Sequence, residues 1–136
     1  MAARVRESVA GVLGAQAAAR VNAALFDALL ARHELEPQDA RYLHPGRTVL
    51  ILREDGAVRD EAALAAGALL ETYHMELAAA PVRLDGRAAT LLAQVPRPEL
   101  PGDDDEVREA LVTADEQVRL IALVERLDHG RHLHLY

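Results

Sequence analysis

An all-α domain of about five to six helices is the fold class this chain predicts, because apolar residues recur at steps of three and four and no strand-like alternation survives beside them. A second observation is the core alphabet. Apolar residues make up 51% of the 136-residue chain but aromatics only 3%, and Trp is absent, so the interior must be built from Ala, Leu and Val. Such small side chains suit closely packed helices. The third is length, which fits one domain around one core, residues 1–136.

From Ala3 to His33 the residues Val9, Val12, Leu13, Ala17, Val21, Ala24, Leu25, Ala28 and Leu29 follow the helical period. Gly11 and Gly14 weaken the first half, so residues 1–14 are expected to fray or break before a firmer helix from Ala15 to Arg32. Glu36-Pro37-Gln38-Asp39 reads as a connector. Pro45 suits the first turn of a second helix reaching Glu54, which Asp55-Gly56 closes; Thr48 to Leu52 within it is the one run that also resembles a strand. Asp60 is the expected N-cap of a third helix from Glu61 to Ala79, apolar nearly all round and therefore buried. Pro81 ends it, Asp85-Gly86 turns the chain, and a short fourth helix runs from Arg87 to Gln94. Residues 95–105, with Pro96, Pro98, Pro101 and Gly102, form the longest predicted loop. The acidic run Asp103 to Glu106 faces the positive end of a fifth helix, and it lacks the ligand spacing of a calcium loop. Thr113 and Glu116 form a capping box for a last helix, with Val118, Ile121, Ala122, Val124 and Leu127 on its apolar side.

The formal charge of -7 argues against nucleic acid as a partner, since phosphate-backbone binding needs a basic surface. All 15 basic residues are arginines, which reads as a coding bias. Absence of Cys excludes disulfides, thiolate metal sites and a thiol nucleophile, and suits a reducing cytoplasm. Neither a signal-peptide apolar region nor a membrane-length apolar run occurs, so a cytoplasmic chain without membrane contact is expected.

Three segments carry a family resemblance. Tyr42-Leu43-His44-Pro45 precedes an apolar helix; Leu64-Ala65-Ala66-Gly67-Ala68-Leu69-Leu70-Glu71-Thr72 follows; Leu123-Val124-Glu125-Arg126-Leu127-Asp128-His129-Gly130-Arg131 comes last. In order and spacing they resemble the HD-domain phosphohydrolases, in particular the alarmone (guanosine tetraphosphate) hydrolase branch. The resemblance implies an HD-like helical bundle in which one His, a His-Asp dyad and a distant Asp hold a divalent metal that activates water toward a phosphoryl group. Here His44 stands at the first ligand position, Glu71 at the dyad His, Thr72 at the dyad Asp and Glu125 at the last Asp. Met75-Glu76 stands where the branch places an acidic pair beside the attacking water, so Glu76 is the candidate catalytic, proton-handling residue. Glu125 in place of Asp shifts its carboxylate by about 1.5 Å, against a catalytic tolerance of about 0.5 Å. Thr72 is a poor ligand for a water-activating ion.

These replacements point away from an enzyme, toward a non-catalytic or regulatory module that binds a nucleotide or another small phosphorylated ligand, with no resident cofactor expected or, if one is held, a divalent metal such as manganese. His44, Glu71 and Glu125 are then the candidate metal ligands, and Arg41 and Arg47 the candidate phosphate contacts, by forked hydrogen bonds. Arg53 lies near the same motif. The alternatives are a divergent metal-dependent phosphohydrolase using the same ligands, and a helical protein-protein interaction domain. Each residue also has a plainer reading. His44 suits a backbone-bonded helix residue, His74 and Glu125 exposed helix positions, and the arginines a solvated surface. Glu71 ends an apolar stretch and should be partly buried, where a carboxylate needs a partner such as His44 or an arginine. His129, His132 and His134 invite a metal reading, but His134 falls off the helix face shared by the other two. Family members continue past the third segment, so the chain is expected to be a shortened version whose exposed apolar face favours a homodimer.

Overall fold

The protein is described by a computed structural model covering residues 1–31, 40–74, 86–96 and 104–131. Its described residues form helices α1 (Ala2–Leu13), α2 (Ala15–Leu30), α3 (Ala40–Leu50), α4 (Glu61–His74), α5 (Gly86–Gln94), α6 (Asp104–Val112) and α7 (Glu116–Arg131). A π-helical segment, Ile51–Asp55, extends α3, and there is no strand among the described residues. The class is all-α as expected. Among the described residues the count is seven rather than five to six, because residues 2–13 form a regular helix of their own instead of fraying. Val5 and Val9, one turn apart, are fully buried, and that packing outweighs the glycine penalty. Gly14 makes the break, at φ 91°, a backbone region open to glycine at little cost.

α4 is the central helix. It packs against α2, α3, α5 and α7, and Ala62, Ala63, Leu64, Ala66, Ala68, Leu69 and Leu70 are all buried. A helix apolar on every side needs neighbours on every side. Its start follows the sequence: Asp60 Oδ1 accepts the Ala62 N–H at 3.0 Å. Its small residues let α3 approach closely. A Cβ built on Gly67 would lie 2.5 Å from Leu52 Cδ1, so any larger residue here requires the Leu52 side chain to shift.

Helix α3 starts a turn before Pro45, not at it as expected, so Pro45 lies inside the helix. Proline removes one intrahelical donor there, and burial of Val49, Leu50, His44 and Thr48 offsets the loss. Thr48 Oγ1 donates to the His44 carbonyl at 2.9 Å. The ambiguous run from Thr48 to Leu52 is helical, passing into the π segment, whose closing bond runs from Gly56 N–H to Ile51 O at 2.9 Å. Ala57 beyond it takes φ 53°, a strained position for a residue with a Cβ.

Two details of α7 differ from the sequence reading. Its cap is Asp115, whose Oδ1 accepts the Gln117 N–H at 2.8 Å, whereas the Thr113 hydroxyl turns back to Ala110 O in α6. Asp caps as well as Thr and sits next to the first turn. Leu127, expected on the apolar face, is exposed, as is Leu123. The buried stripe instead steps from Val118 through Ile121 and Ala122 to Glu125, which is partly covered, and Asp128, which is fully buried. No described helix is long and apolar enough to cross a membrane.

Candidate metal centre where three helices meet

The acidic end of the α7 stripe faces His44 on α3 and Glu71 on α4. His44 is buried on α3, which packs against both other helices, and Glu71 lies one helical turn beyond Gly67, which faces Thr48 and Leu52. The ring of His44 stands between two carboxylates: Nδ1 lies 2.5 Å from Asp128 Oδ2, and Nε2 lies 3.1 Å from Glu71 Oε2, an oxygen that accepts no hydrogen bond among the described residues. The guanidinium of Arg47, one turn along α3, grips Asp128 as a fork, Nε donating to Oδ1 at 2.8 Å and Nη2 to Oδ2 at 2.9 Å. Burial pushes the Asp128 carboxyl up, but the hydrogen bonds and charges of His44 and Arg47 outweigh it and hold the group well below the usual carboxylate range. Asp128 is therefore an ionised acceptor, and the short contact requires the proton on His44 Nδ1.

One donor atom each from His44, Glu71 and Glu125 lies within 4.8 Å of the others. These are the three residues that the sequence nominated as ligands, brought together from α3, α4 and α7. An imidazole nitrogen with two carboxylates suits manganese, zinc or iron in the divalent state. Adjacent donors on one ion, at bonds of about 2.0–2.2 Å, stand about 3.0–3.5 Å apart. The 3.1 Å between His44 Nε2 and Glu71 Oε2 fits that spacing, and a Glu125 oxygen lies within 4.8 Å of both partners' donor atoms. The residues therefore fit a divalent cation. Its three protein ligands would leave coordination positions for water or a ligand oxygen.

The other nominated residues fare differently. Arg47, expected to grip phosphate, grips Asp128, a buried carboxylate within reach of its fork. Arg53 Nη1 donates to Val58 O at 2.9 Å, closing the loop after the π segment. Thr72, next to Glu71 in α4, is buried. The backbone of Arg41 lies in α3, but its side chain is outside the described set, as are those of His74 and His129. Glu76, His132 and His134 lie wholly outside the described residues.

Sequence reasoning missed Asp128, the group that ties the site together. A signal was present: stepping by three and four from Val118, Ile121 and Ala122 arrives at Glu125 and then Asp128, so both acids occupy core-facing positions. A carboxylate there needs a buried cationic or N–H partner. Comparison of the chain with protein-family models, with curated proteins and with solved structures gives no match in any of the three.

Proposed function

We propose that this chain is an HD-like helical domain that holds a divalent cation on His44, Glu71 and Glu125 and, through the cation's open positions, binds a nucleotide or other small phosphorylated ligand as a non-catalytic, regulatory module. The observation that carries the reading is the approach of one imidazole and two carboxylates from three separate helices to within 4.8 Å. A cation there supplies the positive charge for a phosphate, since Arg47 is already engaged by Asp128. Thr72 at the position of the family's dyad Asp argues against hydrolysis. Thr72 offers no charge to the ion, and a water-activating centre needs its ligands held within about 0.5 Å. Absence of cysteine from the sequence suits work in a reducing cytoplasm.

Calorimetric titration of metal-free protein with manganese tests this directly, repeated with guanosine tetraphosphate or guanosine diphosphate present, beside an assay for released phosphate. The expected result is one manganese per chain, uptake lost in His44→Ala, nucleotide binding only with the metal, and no turnover. Turnover that disappears in His44→Ala assigns the chain to the metal-dependent phosphohydrolases instead. Absence of manganese uptake by the wild-type protein removes the cation reading and leaves a structural charge cluster in a helical interaction domain.

A further inference from the structure

Asp128 is not one of the three cation-facing donors, yet its side chain is 1% exposed and both oxygens are held. Arg47 carries only donors, so the fork at Oδ1 and Oδ2 presents Asp128 to His44 as an acceptor on a fixed axis. A buried acid gripped this way has little freedom to rotate. His44 Nδ1, 2.5 Å from Oδ2, must then carry its proton toward Asp128. A ring with hydrogen on Nδ1 keeps the other nitrogen for a ligand, and Nε2 is the atom beside Glu71. We infer that Arg47 and Asp128 are positioning residues, which lock His44 in the form with hydrogen on Nδ1 and aim Nε2 at the cation position between Glu71 and Glu125.

The inference rests on the cation reading for its purpose, but its structural content stands apart from it. Carboxylates behind ligating imidazoles raise ligand basicity and fix ring orientation, and their loss typically weakens metal affinity about 10- to 100-fold. Arg47 sharpens the test. In Asp128→Asn a single oxygen faces the donors of both Arg47 and His44, and when the guanidinium takes that oxygen the amide N–H₂ turns to His44 Nδ1. Nδ1 must then accept, so the ring hydrogen moves to Nε2, where it blocks the ligand position. A side chain of nearly identical shape thus reverses the ring, and loss of packing alone would not.

Nitrogen NMR of the His44 ring in labelled protein, metal-free and zinc-loaded, decides the matter. The wild-type ring is expected to carry hydrogen on Nδ1 in both states, with Nε2 moving to the shift of a metal-bound nitrogen when zinc is added. Hydrogen confined to Nε2, or zinc on Nδ1, overturns the inference without any variant. In Asp128→Asn the neutral ring is expected to carry its hydrogen on Nε2, and zinc affinity to fall about 10- to 100-fold; wild-type affinity in a folded variant overturns the positioning role. Should that variant fail to fold, the wild-type ring assignment decides alone. If wild-type protein takes up neither zinc nor manganese while Nδ1 keeps its hydrogen, the cation reading fails and the locked ring stands.

Discussion

Gly67→Ala tests the close crossing that brings α3 and α4, and with them His44 and Glu71, together. The added Cβ would stand 2.5 Å from Leu52 Cδ1 and 3.5 Å from Thr48 Cγ2, whereas carbon atoms in contact sit about 3.5–4.0 Å apart. Leu52 must therefore yield by about 1.0–1.5 Å to restore ordinary contact. It is fully buried, so the shift must be taken up within the core. Overpacking of this kind costs about 1–3 kcal/mol. Replacing a mid-helix glycine returns about 1 kcal/mol of helix propensity. The net expectation is a loss of about 0–2 kcal/mol, centred near 1, which moves the urea midpoint down by about half a molar for a slope near 2 kcal/mol/M. Urea unfolding followed by circular dichroism measures it. The pair Gly67→Ala with Leu52→Ala completes a double-mutant cycle: Leu52→Ala alone should cost about 2–5 kcal/mol, and the double variant less than the sum by about 1–2 kcal/mol, since the new methyl enters the vacated space. A gain of about 1 kcal/mol in Gly67→Ala, or additivity within about 0.5 kcal/mol, would show that the helices do not meet as closely as described.

Three further outcomes follow from local geometry and charge. Ala57→Gly should raise stability by about 0.5–1 kcal/mol, since φ 53° strains a residue with a Cβ; a lowered melting temperature would refute the strain. Asp115→Ala should cost about 1 kcal/mol through the lost α7 cap and Thr113→Ala less than half of that, measured by the same unfolding curves; equal losses would restore the capping box. The Asp128 carboxyl is depressed in the folded state, so its stabilisation is complete above the unfolded value of about 4 and is lost as pH falls toward its folded value. Asp128→Asn should accordingly flatten the decline of stability below about pH 4; an unchanged acid limb would mean that Asp128 is not held as described.

Most of the helix boundaries were legible in the chain because the signals are local. Gly14 could be read as a break, Asp60 as a cap, Gly86 as the edge of α5 and the Ala-Leu pattern of α4 as a helix buried on every side. Local signals misled where packing outbid them. Val5 and Val9 rescued a glycine-weakened helix, and burial of His44 and Thr48 carried α3 across Pro45. Leu127 looked like core because it is apolar, yet the rotation of α7 put it in solvent and gave the buried positions to Glu125 and Asp128.

The candidate site divides along the same line. His44, Glu71 and Glu125 were found through motif spacing, which marks the residue types at each position but carries no information on which atom faces which. The chain alone determined that three helices would carry one imidazole and two carboxylates, since those are properties of each segment. Only the tertiary structure decided that Arg47 would turn to Asp128 rather than to a ligand, and that Asp128 would sit behind His44 Nδ1. The partners stand 81 and 84 residues apart along the chain. Their meeting depends on the rotation of α7 about its own axis and on the close approach at Gly67, which arise from the packing of the whole core.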